Sequence, residues 1–245
     1  MRLYRNALWL TLIFFLFSFM AFIVIIEDTH NNVGDLDRLG PITGDAVYTH
    51  AEILPTVSKD CSFSLYPGWN MVSFYCLGLF SNRTMVLQSV DGYYGSIFEY
   101  QADDANDPWK SYNPYVPIWA VQQLNYMDRL SGYWIYMYNQ TEFIYSGVYS
   151  DSVINLRSGW NLVGYPNTNS SSINYTLVGI PFTIVKNYDK GTAFDNETNE
   201  TYYIGVDTWL VYVNGSLNNT LNQFETYKGY WLNVTEDDQW IISRG

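Results

Sequence analysis

Leu65-Tyr66-Pro67-Gly68-Trp69-Asn70-Met71-Val72 returns 91 residues later as Leu156-Arg157-Ser158-Gly159-Trp160-Asn161-Leu162-Val163. The correspondence continues on the C-terminal side. Trp109-Lys110-Ser111-Tyr112 returns as Trp209-Leu210-Val211-Tyr212 at an offset of 100. Leu124-Asn125, Met127-Asp128 and Gly132-Tyr133-Trp134-Ile135 return at an offset of 97 as Leu221-Asn222, Phe224-Glu225 and Gly229-Tyr230-Trp231-Leu232. A kept order with a slowly drifting offset is what tandem duplication followed by loop insertion produces. The two copies span 61–148 and 152–243.

Each copy reads as β. Pro67-Gly68 carries the residues of a type II turn, and Ser158-Gly159 keeps the Gly, which tolerates positive φ. Apolar and aromatic residues flank both turns, so a hairpin is expected to open each copy, 61–66 with 69–76 and 152–157 with 160–166. Further β-rich runs follow at 96–100, 109–112, 132–138 and 142–147, and in the second copy at 182–188, 208–213, 229–234 and 239–243. Tyr, Val, Ile, Trp and Thr dominate them, as strands prefer. Short helical turns are expected at 84–90 and 124–130 and at their second-copy equivalents, and a loop at 189–207. The fold class expected is mainly β, with an N-terminal transmembrane helix followed by two tandem sandwich-like or barrel-like repeats.

Cys61 and Cys76 are the only cysteines. They lie on the two arms of the first expected hairpin, and antiparallel pairing about 67–68 brings them near each other, so a disulfide is expected. Ser152 and Asn167 stand at the matching places of the second copy, so the bond is an addition to one copy.

The order Gly-Trp-Asn-Leu-(Val/Ile), an aromatic-Tyr strand, Trp-x-x-Tyr and Gly-Tyr-Trp-Ile resembles β-rich repeat modules of secreted and surface-attached proteins of archaea and bacteria. Residues 68–72, 97–100, 109–112 and 132–135 carry the likeness in the first copy. Residues 159–163, 184–188, 209–212 and 229–232 carry it in the second, which departs by Asn187 before Tyr188. The resemblance implies accessory or surface-display modules and no particular enzyme.

Ala7–Ile26 is an uncharged run of 20 residues, preceded by Arg2 and Arg5 and followed by Glu27 and Asp28. As a helix it is about 30 Å long, the hydrocarbon thickness of a bilayer. The flanking charges place 1–26 as a cytoplasmic tip and membrane anchor and everything beyond outside the cell. A cleaved signal peptide and a pilin-type filament helix are the competing readings. Residues 27–60, acidic and broken by Gly and Pro, read as a stalk. The chain carries 24 acids and 12 bases, and all the acids but only ten bases follow residue 26. This acidity excludes binding to a phosphate backbone.

An exterior location gives meaning to Asn-x-Ser/Thr. With 22 Asn and 36 Ser or Thr in 245 residues, chance supplies about 3 such triplets. The chain has nine, at Asn82, Asn139, Asn169, Asn174, Asn196, Asn199, Asn214, Asn218 and Asn233.

Residues for chemistry are scarce. The two His, His30 and His50, both lie in the stalk, which leaves no triad and no zinc set within the repeats. Asp103, Asp104 and Asp107, and Asp189, Asp195 and Glu197, sit between β runs and read as turn residues. No cofactor is expected. A calcium loop at 103–108 is the remaining alternative, with its register broken by Ala105 and Pro108. Exposed Trp and Tyr stack on sugars, and the chain holds 9 Trp and 23 Tyr. The pairs Trp69/Trp160, Trp109/Trp209 and Trp134/Trp231 match across the copies, as core residues would. Trp119 and Trp240 have no such partners and become the candidates for exposed ligand contact, joined by Tyr93-Tyr94, Tyr112–Tyr115 and Tyr202-Tyr203.

The expectation is a single-pass membrane glycoprotein, not an enzyme, that serves as a structural or interaction component of an archaeal-type cell envelope. Its partners would be the membrane through residues 7–26 and other envelope proteins or copies of itself. The alternative is a surface-displayed pair of carbohydrate-binding modules or an adhesin.

Overall fold

The chain turns a corner at Pro67-Gly68, and the same corner recurs at Ser158-Gly159. The computed structural model describes residues 57–117 and 119–243. The stretch 7–26, His30, His50 and the stalk up to residue 56 lie outside the described residues. Among the described residues no helix is long and apolar enough to cross a membrane.

The first half begins with Val57–Leu65 (β1), so the last residues of the expected stalk are strand. The expected hairpin does not form. β1 pairs antiparallel with Thr141–Tyr149 (β8), whereas Gly68–Val72 (β2) pairs with Tyr133–Met137 (β7). In the second half Ser152–Leu156 (β9) pairs with Asp238–Ile242 (β16), and Gly159–Gly164 (β10) with Gly229–Val234 (β15). The Pro-Gly and Ser-Gly steps therefore move the chain from a ribbon into a separate sheet.

Local chemistry fixes that corner. Gly68 and Gly159 have φ of 82° and 98°, the left-handed region that residues with a Cβ avoid. Two residues on, the buried Asn70 accepts from Tyr66 N at 3.0 Å and donates Nδ2 to Tyr66 O at 2.7 Å and Gly68 O at 3.0 Å. Asn161 accepts from Arg157 N at 2.9 Å and donates to Arg157 O at 2.7 Å and Gly159 O at 3.2 Å. A side-chain amide is the one short group with both an acceptor and two donors, which explains Gly-Trp-Asn in both copies. A tight hairpin would also have left both arms in one layer. The corner instead lets Cys61 and Leu65 of β1 face the same core as Val72 of β2.

The central sheets share one plan. Sheet one runs β2-β7-β4-β5, with Tyr94–Tyr100 as β4 and Trp109–Tyr112 as β5. Sheet two runs β10-β15-β12-β13, with Phe182–Asp195 as β12 and Glu200–Val213 as β13. Two-residue pairs flank them, Ser81–Asn82 (β3) with Tyr126–Met127 (β6) and Ser171–Ser172 (β11) with Gln223–Phe224 (β14). Among the described residues helices are confined to single turns at Arg83–Val86, Gln88–Val90 and Ile173–Thr176. The stretch 124–130, expected as helical, contains β6 instead. The stretch 189–207, expected as loop, is the outer part of the β12–β13 hairpin, with Thr192 facing Tyr203 and Phe194 facing Thr201. Its alternating Thr, Tyr and Phe suit a pleated surface. At the register shift, a Cβ on Gly191 would lie 2.0 Å from Val206 O.

Two clusters of buried residues result. One is drawn from 61–149, the other from 154–242. The described residues nonetheless belong to one compact unit. Ser73 N donates to Tyr227 O at 2.8 Å, and its counterpart Gly164 N donates to Leu130 O at 2.7 Å. Val72 bridges Lys228 just as Val163 bridges Ser131. A Cβ on Gly132 would lie 2.8 Å from Val163 O, and one on Gly229 would lie 2.8 Å from Val72 O. The Gly of each Gly-Tyr-Trp motif thus admits the backbone of the other half. Contacts of i with j repeated as j with i are those of a two-fold interface, here made within one chain. Arg129 holds the connection between the halves, donating to Ser152 Oγ at 2.8 Å, Leu77 O at 3.2 Å and Asp151 O at 3.3 Å.

Candidate functional site: an aromatic groove and a buried acidic cleft

The structure changes the expected roles of all the matched tryptophans and of Trp240, but not of Trp119. Trp240, expected as an exposed contact, is 1% exposed. Its ring lies 4.9 Å from Phe224 and 6.3 Å from Tyr165, and its Nε1 donates to Thr176 O at 3.1 Å. At an offset of 97 the first copy has Phe143, also buried. Trp240 therefore has a core counterpart, of a different residue type. Trp119 lies on the surface at 80% exposure. Of the tyrosines expected in loops, Tyr93, Tyr115 and Tyr202 are exposed and Tyr94 is buried, with Tyr94 in β4 and Tyr202 in β13.

The six matched tryptophans, expected in the cores, lie on the opposite faces of the two sheets. Cross-strand partners share a face. Trp69 faces Tyr136, and Trp134 faces Phe98 and Met71. In sheet two Trp160 faces Asn233, and Trp231 faces Leu162 and Lys186. These faces meet across the two-fold relation. Trp134 lies 5.8 Å from Trp209 and 5.2 Å from Tyr188, and Trp231 lies 5.9 Å from Trp109 and 5.2 Å from Tyr100. Both copies hold Trp109/Trp209 and Trp134/Trp231 because each copy supplies one side of the same interface, whereas Trp69 and Trp160 pack on Trp134 and Trp231 of their own copy. The outer rings stay partly open, with Trp109 43% and Trp209 45% exposed.

Beside the second sheet the rings frame a groove of about 520 Å³, lined by Tyr100, Trp160, Lys186, Trp209, Val211 and Trp231. Lys186 Nζ stands 5.1 Å above the centre of the Trp160 ring. The matching place in the first copy is taken by Phe98, 5.8 Å from Trp69, with Tyr136 at 5.2 Å. The groove offers flat apolar rings with one cation at the side, which suits a ligand having an apolar face and polar edges.

A second cleft, of about 310 Å³, contains Glu99, Gln101, Asp103, Asp128 and Ser131. Glu99 is 4% exposed and accepts from Gln101 Nε2 at 3.1 Å. Burial pushes its carboxyl up to about 7, against hydrogen bonds from Ser131 and Gln101 that favour the charged form. Burial also raises Asp128, whose Oδ1 accepts from Leu130 N and Ser131 N at 2.8 and 2.9 Å. The second copy has Asn187 in place of Glu99, donating to Gly229 O at 2.8 Å. Sequence reasoning missed Glu99: it shares a face with Ile97, but Phe98 and Tyr100 on the other face are as apolar, so alternation alone does not place it in the core.

The raised value sets a pH dependence. The folded chain holds the Glu99 proton more tightly than the unfolded chain, so the stabilisation is complete below the ordinary value of 4.5 and is lost as pH rises towards about 7. Denaturant titrations should show unfolding free energy falling over this interval. Glu99→Gln should flatten the fall, leaving a smaller slope of the same sign from Asp128. An unchanged slope in the variant would rule out Glu99 as its source.

Four of the acids expected in turns, Asp104, Asp107, Asp189 and Asp195, have protein partners. Asp104 accepts from Asn106 N at 3.3 Å and Asp107 N at 3.1 Å, and pairs with Lys110 at 2.5 Å. Asp195 accepts from Glu197 N at 2.8 Å, and Asp189 pairs with Lys228. Among the described residues no group of three or more His, Cys, Asp or Glu is placed to hold a metal. Cys61 and Cys76 form a disulfide, with their Cα atoms 5.9 Å apart.

Eight sequon asparagines, Asn82, Asn139, Asn169, Asn174, Asn196, Asn199, Asn214 and Asn218, are exposed, and Asn233 is half-buried. Comparison with family models, with curated proteins and with solved structures finds no match.

Proposed function

We propose that the chain is a membrane-anchored surface glycoprotein in which two tandem copies of one β module form a structural or interaction component of a cell envelope. The observation that carries this reading is the exposure of eight of nine sequon asparagines, spread over both halves. The disulfide supports it, since such bonds persist in oxidising compartments. The uncharged run 7–26 supplies the anchor, and the acidic surface repels nucleic acid. The reading assigns no enzymatic role. Its partners are neighbouring envelope proteins or further copies, met through the exposed β faces.

Glycopeptide mass spectrometry on the full chain from native membranes tests it. Sugar on several of the eight exposed asparagines, in protein that leaves the membrane only with detergent, is the expected result. Nine bare asparagines on protein released by alkaline washing would overturn it. A second reading, a surface carbohydrate binder, is favoured by the open rings of Trp109, Trp119 and Trp209. It predicts that Trp119→Ala or Trp209→Ala weakens binding to immobilised glycans.

A further inference from the structure

We propose that an N-linked glycan on Asn233 folds over Trp160 and Trp231 and fills the aromatic groove, an inference that rests on the surface-glycoprotein reading above. Of the nine sequon asparagines, Asn233 alone lies within a strand of a four-stranded sheet. Trp231 precedes it by two residues and so shares its face, and Trp160 is its direct partner across β10–β15. Side chains in such pairs stand about 5 Å apart, so the first sugar on Asn233 begins beside one indole and next to another.

The asparagine is held ready for this. Thr183 Oγ1 donates to Asn233 Oδ1 at 2.7 Å, which fixes the amide. Nδ2, the atom that carries the sugar, makes no hydrogen bond within the described residues and is not buried. The indole face is electron-rich and attracts the polarised C–H groups of a pyranose, while Lys186 Nζ above Trp160 can donate to its hydroxyls.

The first copy shows what the site is built to seat. At an offset of 97 Tyr136 replaces Asn233, and its ring lies 5.2 Å from Trp69, the counterpart of Trp160. Phe98 fills the place of Lys186. In the first copy a tyrosine ring stands at 70° to the tryptophan, and in the second a short amide leaves that place to an attached pyranose.

The test uses the full chain purified from cells that N-glycosylate it. Glycopeptide mapping should find Asn233 occupied. Oxidation by N-bromosuccinimide, read peptide by peptide, should spare Trp160 and Trp231. Asn233→Gln should lose that protection, and Thr235→Ala, which removes the sequon but keeps the asparagine, should lose it equally. Asn139→Gln should leave it intact. A bare Asn233 beside glycosylated neighbours would overturn the proposal alone and leave the groove to an external ligand. Unchanged reactivity in both sequon variants would overturn it too. Nine bare asparagines would overturn both this inference and the surface-glycoprotein reading.

Discussion

Trp240→Ala is expected to lower the free energy of unfolding by about 4 kcal/mol, as truncation of a buried large aromatic does. Three losses combine. The ring leaves the stack formed with Tyr165 and Phe224. The space opens in a core where Phe224, Tyr230 and Leu232 are themselves fully enclosed, so collapse is restricted. Thr176 O also loses its donor, which leaves a carbonyl of the short 173–176 helix to find another. Trp240→Phe, which restores the residue type of the first copy's Phe143, should recover part of the loss but not the hydrogen bond. Trp119→Ala, at a site 80% exposed, should leave stability unchanged within error. Denaturant unfolding of the three variants checks the order. Equal effects at Trp240 and Trp119 would contradict the burial assigned to Trp240.

Loss of the Cys61–Cys76 bond should cost about 3 kcal/mol, the magnitude for a closed loop of roughly 15 residues. The bond ties β1, at the edge of the ribbon, to the segment after β2, across the corner at Gly68. Around it the packing is close. Cys76 O accepts from Val148 N at 2.8 Å, and both sulfur-bearing residues are fully enclosed. In the second copy Asn167 takes the place of Cys76 and donates Nδ2 to Ser243 O at 3.1 Å. That hydrogen bond ties the segment after β10 to the residue that follows β16, the partner strand of β9, and not to β9 itself. The double variant Cys61→Ala with Cys76→Ala, compared with the parent by denaturant unfolding, should show the loss. Added reductant should lower the stability of the parent and leave the variant unaffected. Equal stability of variant and parent would contradict a structural role for the bond.

The β runs were legible in the sequence because each is long enough to show its residue preferences. The run 109–112 coincides with β5 and 229–234 with β15, and single helical turns fall in the stretch expected at 84–90 and in its second-copy equivalent at 173–176. The candidate site was less legible. Matching by identity paired six tryptophans and left Trp240 alone, because its counterpart is Phe143. A residue present in both copies is required twice, but by itself that does not say whether it faces its own core or the other copy. The groove was hidden for a related reason: Asn233 was visible as a sequon, and its neighbour Trp160 lies 73 positions earlier.

By itself the sequence determined the duplication of motifs, the β class, the net negative charge and the presence of the sequons. These depend on local residue preference and on comparison along the chain. Tertiary structure alone decided that the arms about Gly68 and Gly159 enter different sheets, and which face of each central sheet is the core. Alternation divides a strand into two faces, but where both are aromatic, as in Tyr133-Trp134-Ile135-Tyr136, it cannot say which is buried. That choice was made by partners distant in the chain, Ile97 and Val72 on one side of β7 and Trp209 and Tyr188 on the other.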